Sequence, residues 1–427
     1  MKPNRHALIF STVWPEPDSS AAGVRQMQWI RLLLQDFERV SLISPAKPKG
    51  EHDWGRVEVP DRVEFVPMPL NDWSVRDRLV EMNPELVLFD RFLLEEQFGA
   101  IVYEALPDAL VLIETQDLHL VRRAREQARL GEIPRGVAPG FYRTETAIRE
   151  TAAIERADYS FVVSSFEEHL LRDGFGIGSE KQAWMPFFYD PPVLSNSTAG
   201  FAERSDFVWI GNFRHAPNAD GLRWLRERIW PGIRERIPGA KCRVYGAYPS
   251  EEFMAWNRDK SSGIEVMGPA RHLDEVFLKA RVNLAPLRFG AGVKGKILEG
   301  FRYGVPAVTT WIGFEGLMDL SRSPDEFPGR VVEHSGGAQE FIEAAVRMHQ
   351  EPLKWMSEHE KAIVLMKTEF SQERVEPLLR QRVRELLSKK SDGTLPVWRS
   401  RILRHELSNS RKYFSKWIEE KERKSRE

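Results

Sequence analysis

The sequence holds a single cysteine, Cys242. No disulfide can form within the chain, and a cysteine-built metal site is excluded. Cys242 stands in the apolar strand pattern KCRVYG, where a thiol acts as a small buried hydrophobe. Long apolar runs are also missing, and no window approaches the length of a membrane-crossing helix. The run Ala7 to Phe10 is far too short for a signal-peptide core, and Pro15 and Pro17 follow it. The expectation is a cytoplasmic chain, either free or resting on the inner face of the membrane. An excess of charge is missing as well. Lysine and arginine number 62 against 63 acidic residues, so no global field draws nucleic acid, and none is expected as a partner. No acidic cluster stands out, and no second histidine lies at ligand spacing from His119, so no metal is expected.

What is present is an α/β pattern. At 427 residues with 42% hydrophobic side chains, the chain is long enough for two cores and an extension. The stretch Leu284 to Leu317, LAPLRFGAGVKGKILEGFRYGVPAVTTWIGFEGL, carries the densest chemistry. An apolar strand, Val282 to Leu287, runs into a loop with Gly290 and Gly292. A basic helix start follows, with Lys294 and Lys296. A second strand, Pro306 to Thr310, leads into a second glycine loop, Gly313 to Gly316. Ligands of such sheets bind outside the carboxyl ends of the strands. Glycines let the backbone approach a ligand, and the free N–H groups of a helix start favour an anion. Glu299 lies one helical turn past Lys296, suited to sugar or ribose hydroxyls. From these residues alone two readings fit: a diphosphate site, or a wet helix face with a Lys–Glu pair.

Together with Phe207 to Gly246 and Val266 to Leu287, this stretch resembles the donor domain of the GT-B glycosyltransferases, most closely their large retaining group 1 (family 4-like) branch. The resemblance implies a GT-B fold: two Rossmann-like α/β/α domains facing each other across a cleft. It also implies a hexosyltransferase-like enzyme that takes a sugar from a nucleotide-sugar, with retention and without a metal cofactor. The acceptor would be a glycan, a lipid-linked hydroxyl or another hydroxyl, in cell-surface polysaccharide or glycoconjugate synthesis. One departure stands out. Many members carry two glutamates flanking the glycine loop; Glu299 resembles the second, while Ala291 occupies the place of the first.

The resemblance assigns roles residue by residue. Gly23 and Arg25 would face the donor diphosphate from the first domain. Arg214, Gly290, Gly292, Lys294 and Lys296 would hold it from the second. Glu299 and Glu315 would take ribose or sugar hydroxyls, and Phe314 would pack. Asp117 and His119, in the polar cluster after the strand Ala109 to Ile113, would orient the sugar or the acceptor hydroxyl. Read without the resemblance, Asp117 is equally a helix cap and Arg25 a solvent-facing side chain.

Other elements follow from periodicity. The first domain shows strands at Ala7 to Phe10, Val40 to Ile43, Val63 to Met68, Leu86 to Phe89, Tyr159 to Val163 and Trp184 to Phe188. Its helices are expected at Val24 to Phe37, Arg91 to Leu106 and Thr144 to Ala157. Lys47 to Pro60 reads as a surface loop or lid. Arg122, Arg123 and Arg125 suit an acceptor phosphate or local glutamates. Ser165 and Glu168 match a capping box. The domains are expected at 1–190 and 206–370, joined by a linker at 191–205. A helix at 371–388 crosses back, and a charged amphipathic extension fills 389–427. Residues 397–427 fit a peripheral membrane contact, a helix packed on the core, or a helix bound to a partner. The alternative to an enzyme is a catalytically silent GT-B scaffold or regulatory subunit that binds nucleotide or a protein partner.

Overall fold

Unbroken runs of Val, Ile, Leu and Phe require cover on both faces, which a parallel sheet between helices provides. The computed structural model describes residues 5–15, 17, 21–46, 61–70, 75–128, 138–192, 200–319, 321–333 and 337–407, and it contains two such sheets. The first consists of β1 (His6–Phe10), β2 (Arg39–Ser44), β3 (Val63–Pro67), β4 (Leu86–Asp90), β5 (Leu110–Glu114), β6 (Tyr159–Val162) and β7 (Gln182–Trp184). Their order is β3-β2-β1-β4-β5-β6-β7, and every neighbouring pair is parallel. The second consists of β8 (Asp206–Ile210), β9 (Cys242–Tyr245), β10 (Ile264–Gly268), β11 (Ala280–Ala285), β12 (Ala307–Thr310) and β13 (Gly329–Val332). It is also wholly parallel, in the order β10-β9-β8-β11-β12-β13. In each sheet the order reverses beside the first strand. That places one crevice between β1 and β4 and another between β8 and β11, at their carboxyl ends. Every residue of β1, β4 and β5 is buried, as the unbroken apolar runs require.

The helix Gln372–Ser391 returns to the first domain. It enters through an isolated bridge between Tyr189 and Ser371, then buries Val375, Leu379, Val383 and Leu386 against Trp29, Leu33 and Phe37. Arg380 and Arg384 close on Asp36, whose carboxyl burial alone would raise; the two guanidinium groups instead hold it down at about 2. The helical turns over 398–407 also pack on the first domain. Ser400 is buried against Lys181, and Arg404 meets Asp158 at 2.8 Å. Trp398 and Ile402 remain exposed on the outer side. Residues 408–427, the lid segment 47–60, the linker core 193–199, residues 129–137, and Ser19 and Ser20 lie outside the described residues. Among the described residues, no helix is long and apolar enough to cross a membrane.

Three local expectations are corrected. The last strand of the first sheet is Gln182–Trp184, not Trp184 to Phe188. Pro186 offers no N–H to a ladder, and the carbonyls of Met185, Pro186 and Phe188 accept from Arg25 and Gln28 instead. The expected glycine loop at Gly313 to Gly316 is a helical turn, Trp311–Phe314, formed directly after β12. The serine cap is Ser164, whose Oγ accepts the Glu167 N–H at 3.2 Å; Ser165 Oγ instead donates to the Met318 carbonyl of the second domain.

Candidate active site

The two crevices meet at a seam. Helix Ala21–Leu33 begins in the first domain where helix Gly295–Arg302 begins in the second. A side-chain carbon at Gly295 would lie 3.0 Å from the Ala21 Cβ, so the two helix starts touch and glycine makes the approach easy. Gly292, at φ +63°, lies against Asp117 of the first domain, and a Cβ there would come within 2.7 Å of the Asp117 Cβ. The left-handed conformation and the close neighbour both select glycine.

First-domain side chains hold the glycine loop by its backbone. Arg125 donates to the Gly290 carbonyl at 2.9 Å, and Glu167 Oε1 accepts the Gly292 N–H at 3.0 Å. Glu167 Oε1 also accepts the Leu118 N–H at 2.8 Å. Glu150 accepts the N–H groups of His119 and Leu120 at 3.0 and 2.7 Å. These two carboxylates therefore cap helix His119–Ala128, a task that Asp117 does not perform. Asp117 is left to face Arg122 at 3.2 Å. Burial alone would raise its pKa, but the Arg122, His119, Arg91 and His215 charges outweigh burial and keep it an anion. The His119 ring is buried edge-on to Phe92, with Nδ1 3.5 Å from Glu150 Oε1 and without a hydrogen bond. Gln116, between β5 and Asp117, has φ +62°, and both of its buried amide atoms lack a partner.

The lysines form the second half of the site. Lys294 Nζ is buried and donates to the carbonyls of Gly292 at 2.6 Å and Ala291 at 3.1 Å. Lys296 Nζ, at the β8/β11 crevice, donates to Asn218 Oδ1 at 2.6 Å and lies 5.0 Å above the Trp209 ring. Desolvation pushes Lys294 down to about 8, Arg125 adding to the effect against the pull of Glu315. Desolvation, with Lys294 beside it, pushes Lys296 down to about 7. Neither ammonium has a carboxylate within ion-pair distance among the described residues. His215, at the start of helix Ala216–Trp224, is held below the usual imidazole range by desolvation and by the Arg122, Lys296 and Lys294 cations. Asn218, His215 and Glu167 carry no local sequence signal that marks them for this site.

Two expected residues are elsewhere. Arg25 is fully buried, with its guanidinium on Glu114 at 3.2 Å and on the Met185 and Pro186 carbonyls, so it braces the first domain and does not face the crevice. Glu315 is fully buried in a two-pronged pair with Arg125, both bonds 2.8 Å, so its oxygens are committed across the seam. Gly23 lies within helix Ala21–Leu33 and not in the loop before it. Glu299 pairs with Arg302 at 3.1 Å, and burial raises its pKa. Arg214 is exposed, its guanidinium 4.1 Å over the Tyr248 ring. Ala291 is half-buried against an apolar cluster of the first domain that includes Leu118, Val121 and Tyr142. Phe314 is buried in the core. Among the described residues, no group of three or more His, Cys, Asp or Glu side chains is placed to hold a metal ion.

Two wholly parallel doubly wound sheets, with a glycine loop at their seam and a C-terminal helix that returns to the first domain, define the GT-B glycosyltransferase fold. Within it, residues 204–351 match the family model described as Glycosyl transferases group 1, so the chain is related to that family through its second domain. Among solved structures, the chain is similar to HepE of Anabaena in complex with UDP-glucose, with a TM-score of 0.65, 11% identity, and 90% of this chain and 99% of that one covered. It is similar to WaaG, a glycosyltransferase involved in lipopolysaccharide biosynthesis, at TM-score 0.62 and 14% identity over 88% and 99% of the two chains. A glycosyltransferase of Rickettsia africae aligns at TM-score 0.58 and 12% identity over 91% and 99%. Comparison with the curated proteins finds no match by sequence.

Proposed function

We propose that the chain is a retaining glycosyltransferase that moves a sugar from a nucleoside-diphosphate sugar to a hydroxyl acceptor. The observation that carries this reading is the pair Lys294 and Lys296, two ammonium groups at the second crevice whose hydrogen bonds, among the described residues, go to neutral oxygens. A buried cation without an ion-pair partner is poorly stabilised until an anion arrives. The two converging helix starts, Ala21 and Gly295, add N–H dipoles on the same side. A diphosphate supplies the missing charge, and its negative charge grows as the sugar leaves, which preorganised cations favour. Glu299, one turn along the same helix, suits ribose hydroxyls, and ionised Asp117 beside Gly292 suits a hydroxyl of the sugar or acceptor. No protein nucleophile is required, since the leaving phosphate can receive the acceptor proton. The likeness to HepE, whose structure holds UDP-glucose, agrees with this donor class.

The test is calorimetric titration of the chain with UDP, GDP and ADP, then with their sugars, alongside Lys296→Ala. A clear preference for one base, lost in the variant, is the expected result. No binding of any of them sinks the reading. For the acceptor we favour a lipid-linked glycan. The support is the exposed Trp398 and Ile402 beside Arg399 and Arg401, a pattern suited to an anionic lipid surface. Co-sedimentation with phosphatidylglycerol vesicles, reduced in a Trp398→Ala, Ile402→Ala variant, is expected; equal binding by the variant removes this support.

A further inference from the structure

The donor loop lacks a carboxylate of its own at Ala291, and that alanine is turned onto the apolar cluster of the opposite domain. The carboxylate that touches the loop comes from that opposite domain. Glu167 is fully buried, and one of its oxygens, Oε1, bonds at once to Leu118 N–H of the first domain and Gly292 N–H of the second. Its other oxygen, Oε2, is buried without a hydrogen bond. The groups that face Glu167 are the anions Asp117 and Glu315 and the cation Lys294; burial is the largest influence and pushes the carboxyl up to about 8.

Resting on the reading above, we infer that Glu167 is the positioning residue for the donor loop, supplied across the domain seam where the loop itself carries Ala291. It acts through the Gly292 peptide. Holding that N–H at φ +63° turns the Gly292 carbonyl to the Lys294 ammonium, 2.6 Å away, and so places the cation. Leu118 N–H anchors the same oxygen to the segment that bears Asp117. The backbone contacts of the loop are therefore complete only when the two domains are together.

What Glu167 supplies is an acceptor oxygen at a set reach. Its raised pKa means that a neutral amide imitates it well. The experiment compares Glu167→Gln, Glu167→Asp and Glu167→Ala with the parent, titrating each with the nucleoside diphosphate that the parent binds and recording each thermal midpoint. Loss of one hydrogen-bond acceptor to a paired N–H corresponds to roughly tenfold in affinity. Asp and Ala are expected to weaken nucleotide binding about tenfold or more, and Gln to stay within about threefold of the parent. A role confined to capping helix His119–Ala128 would lower the thermal midpoint and leave nucleotide affinity, a property of the other domain, unmoved. Affinity of Glu167→Asp within twofold of the parent overturns the inference, as does a Gln variant as weak as Asp. Should the Ala variant not fold, the Gln and Asp pair still decides. A parent chain that binds no nucleoside diphosphate overturns the underlying reading and this inference with it, so the two failures are told apart by the parent alone.

Discussion

Four of the cations described along or beneath the domain seam divide into two kinds. Arg25 and Arg125 are fully buried and face carboxylates: Glu114 at 3.2 Å, and Glu315 twice at 2.8 Å. Lys294 and Lys296, among the described residues, make no ion pair and donate to carbonyl and amide oxygens. Burial weakens every cation, but around Arg125 the Glu315 charge more than reverses it and the guanidinium is held above its ordinary value. Around Lys294 the pull of Glu315, Glu167 and Asp117 is too weak to offset it, and both lysines fall well below theirs. The side chains suit the division. A guanidinium fork matches one carboxylate in two bonds, while an ammonium is a point charge suited to phosphate oxygens. Paired cations brace the structure, and on the proposed function the two lysines are the ones left for a diphosphate.

The largest expected effect is on the paired side. Arg125→Met leaves Glu315 buried without a partner, which costs about 3–5 kcal/mol of stability. The double variant Arg125→Met, Glu315→Leu removes both charges and should recover most of that loss, because a well-packed apolar pair is often as stable as a buried ion pair. Thermal and urea unfolding of the three variants measure this. A single-variant loss under about 1 kcal/mol would place Arg125 with the lysines and break the division.

Lys296→Ala should behave in the opposite way. Removing a poorly solvated charge leaves the thermal midpoint unchanged or higher. Sugar transfer, in contrast, should fall by about 10²–10³, the usual cost of one preorganised donor to developing charge. A drop in stability comparable to that of Arg125→Met would mean that Lys296 is structural. A stable variant with normal turnover would remove it from the donor site.

The depressed lysines also fix the sign of a pH effect. Both hold fewer protons in the folded chain than unfolded, so their contribution to stability rises with pH from about 7 up to the ordinary lysine range. A bound diphosphate restores both charges, so binding takes up protons above about pH 7. Nucleotide affinity should fall by up to about tenfold per pH unit for each proton taken up. Titration from about pH 7 to about pH 9, in buffers of different protonation enthalpy, reads the uptake directly. Affinity that is flat over that range would mean that the lysines remain charged without a ligand.

The same division explains what was legible in the sequence. The two sheets were legible because their strands are apolar runs of the right length between turn residues. The glycine loop and the helix start at Lys294 and Lys296 were legible because they are local, adjacent to one another in the chain. Arg125–Glu315 and Glu167–Gly292 were not, because their partners are 190 and 125 residues apart. No pattern in SSFEEHL separates a carboxylate that caps its own helix from one that reaches another domain. Arg25 was misread for the same reason: a helix start after a small-residue loop resembles a phosphate-facing position, and the buried Glu114 that claims it lies 89 residues away. The helix-cap alternative for Asp117 fails because Glu150 and Glu167 already occupy those N–H groups.

The smallest effect sharpens the comparison at its edge. Arg214 is neither paired like Arg125 nor buried like Lys294; its guanidinium lies over the Tyr248 ring in solvent, at the loop that follows β8. An exposed contact of this type is worth about 0.5–1 kcal/mol. Arg214→Ala should therefore leave unfolding within about 1 kcal/mol of the parent. A long-range charge contribution to diphosphate binding should weaken affinity only about two- to threefold at about 0.15 M salt, where the screening length is about 8 Å, and the difference should vanish near 1 M. Titrations at the two salt concentrations separate the outcomes. A weakening beyond tenfold that persists in high salt would make Arg214 a direct donor contact, and exposure on the crevice rim would then have to join unpaired burial as a mark of the substrate-binding cations.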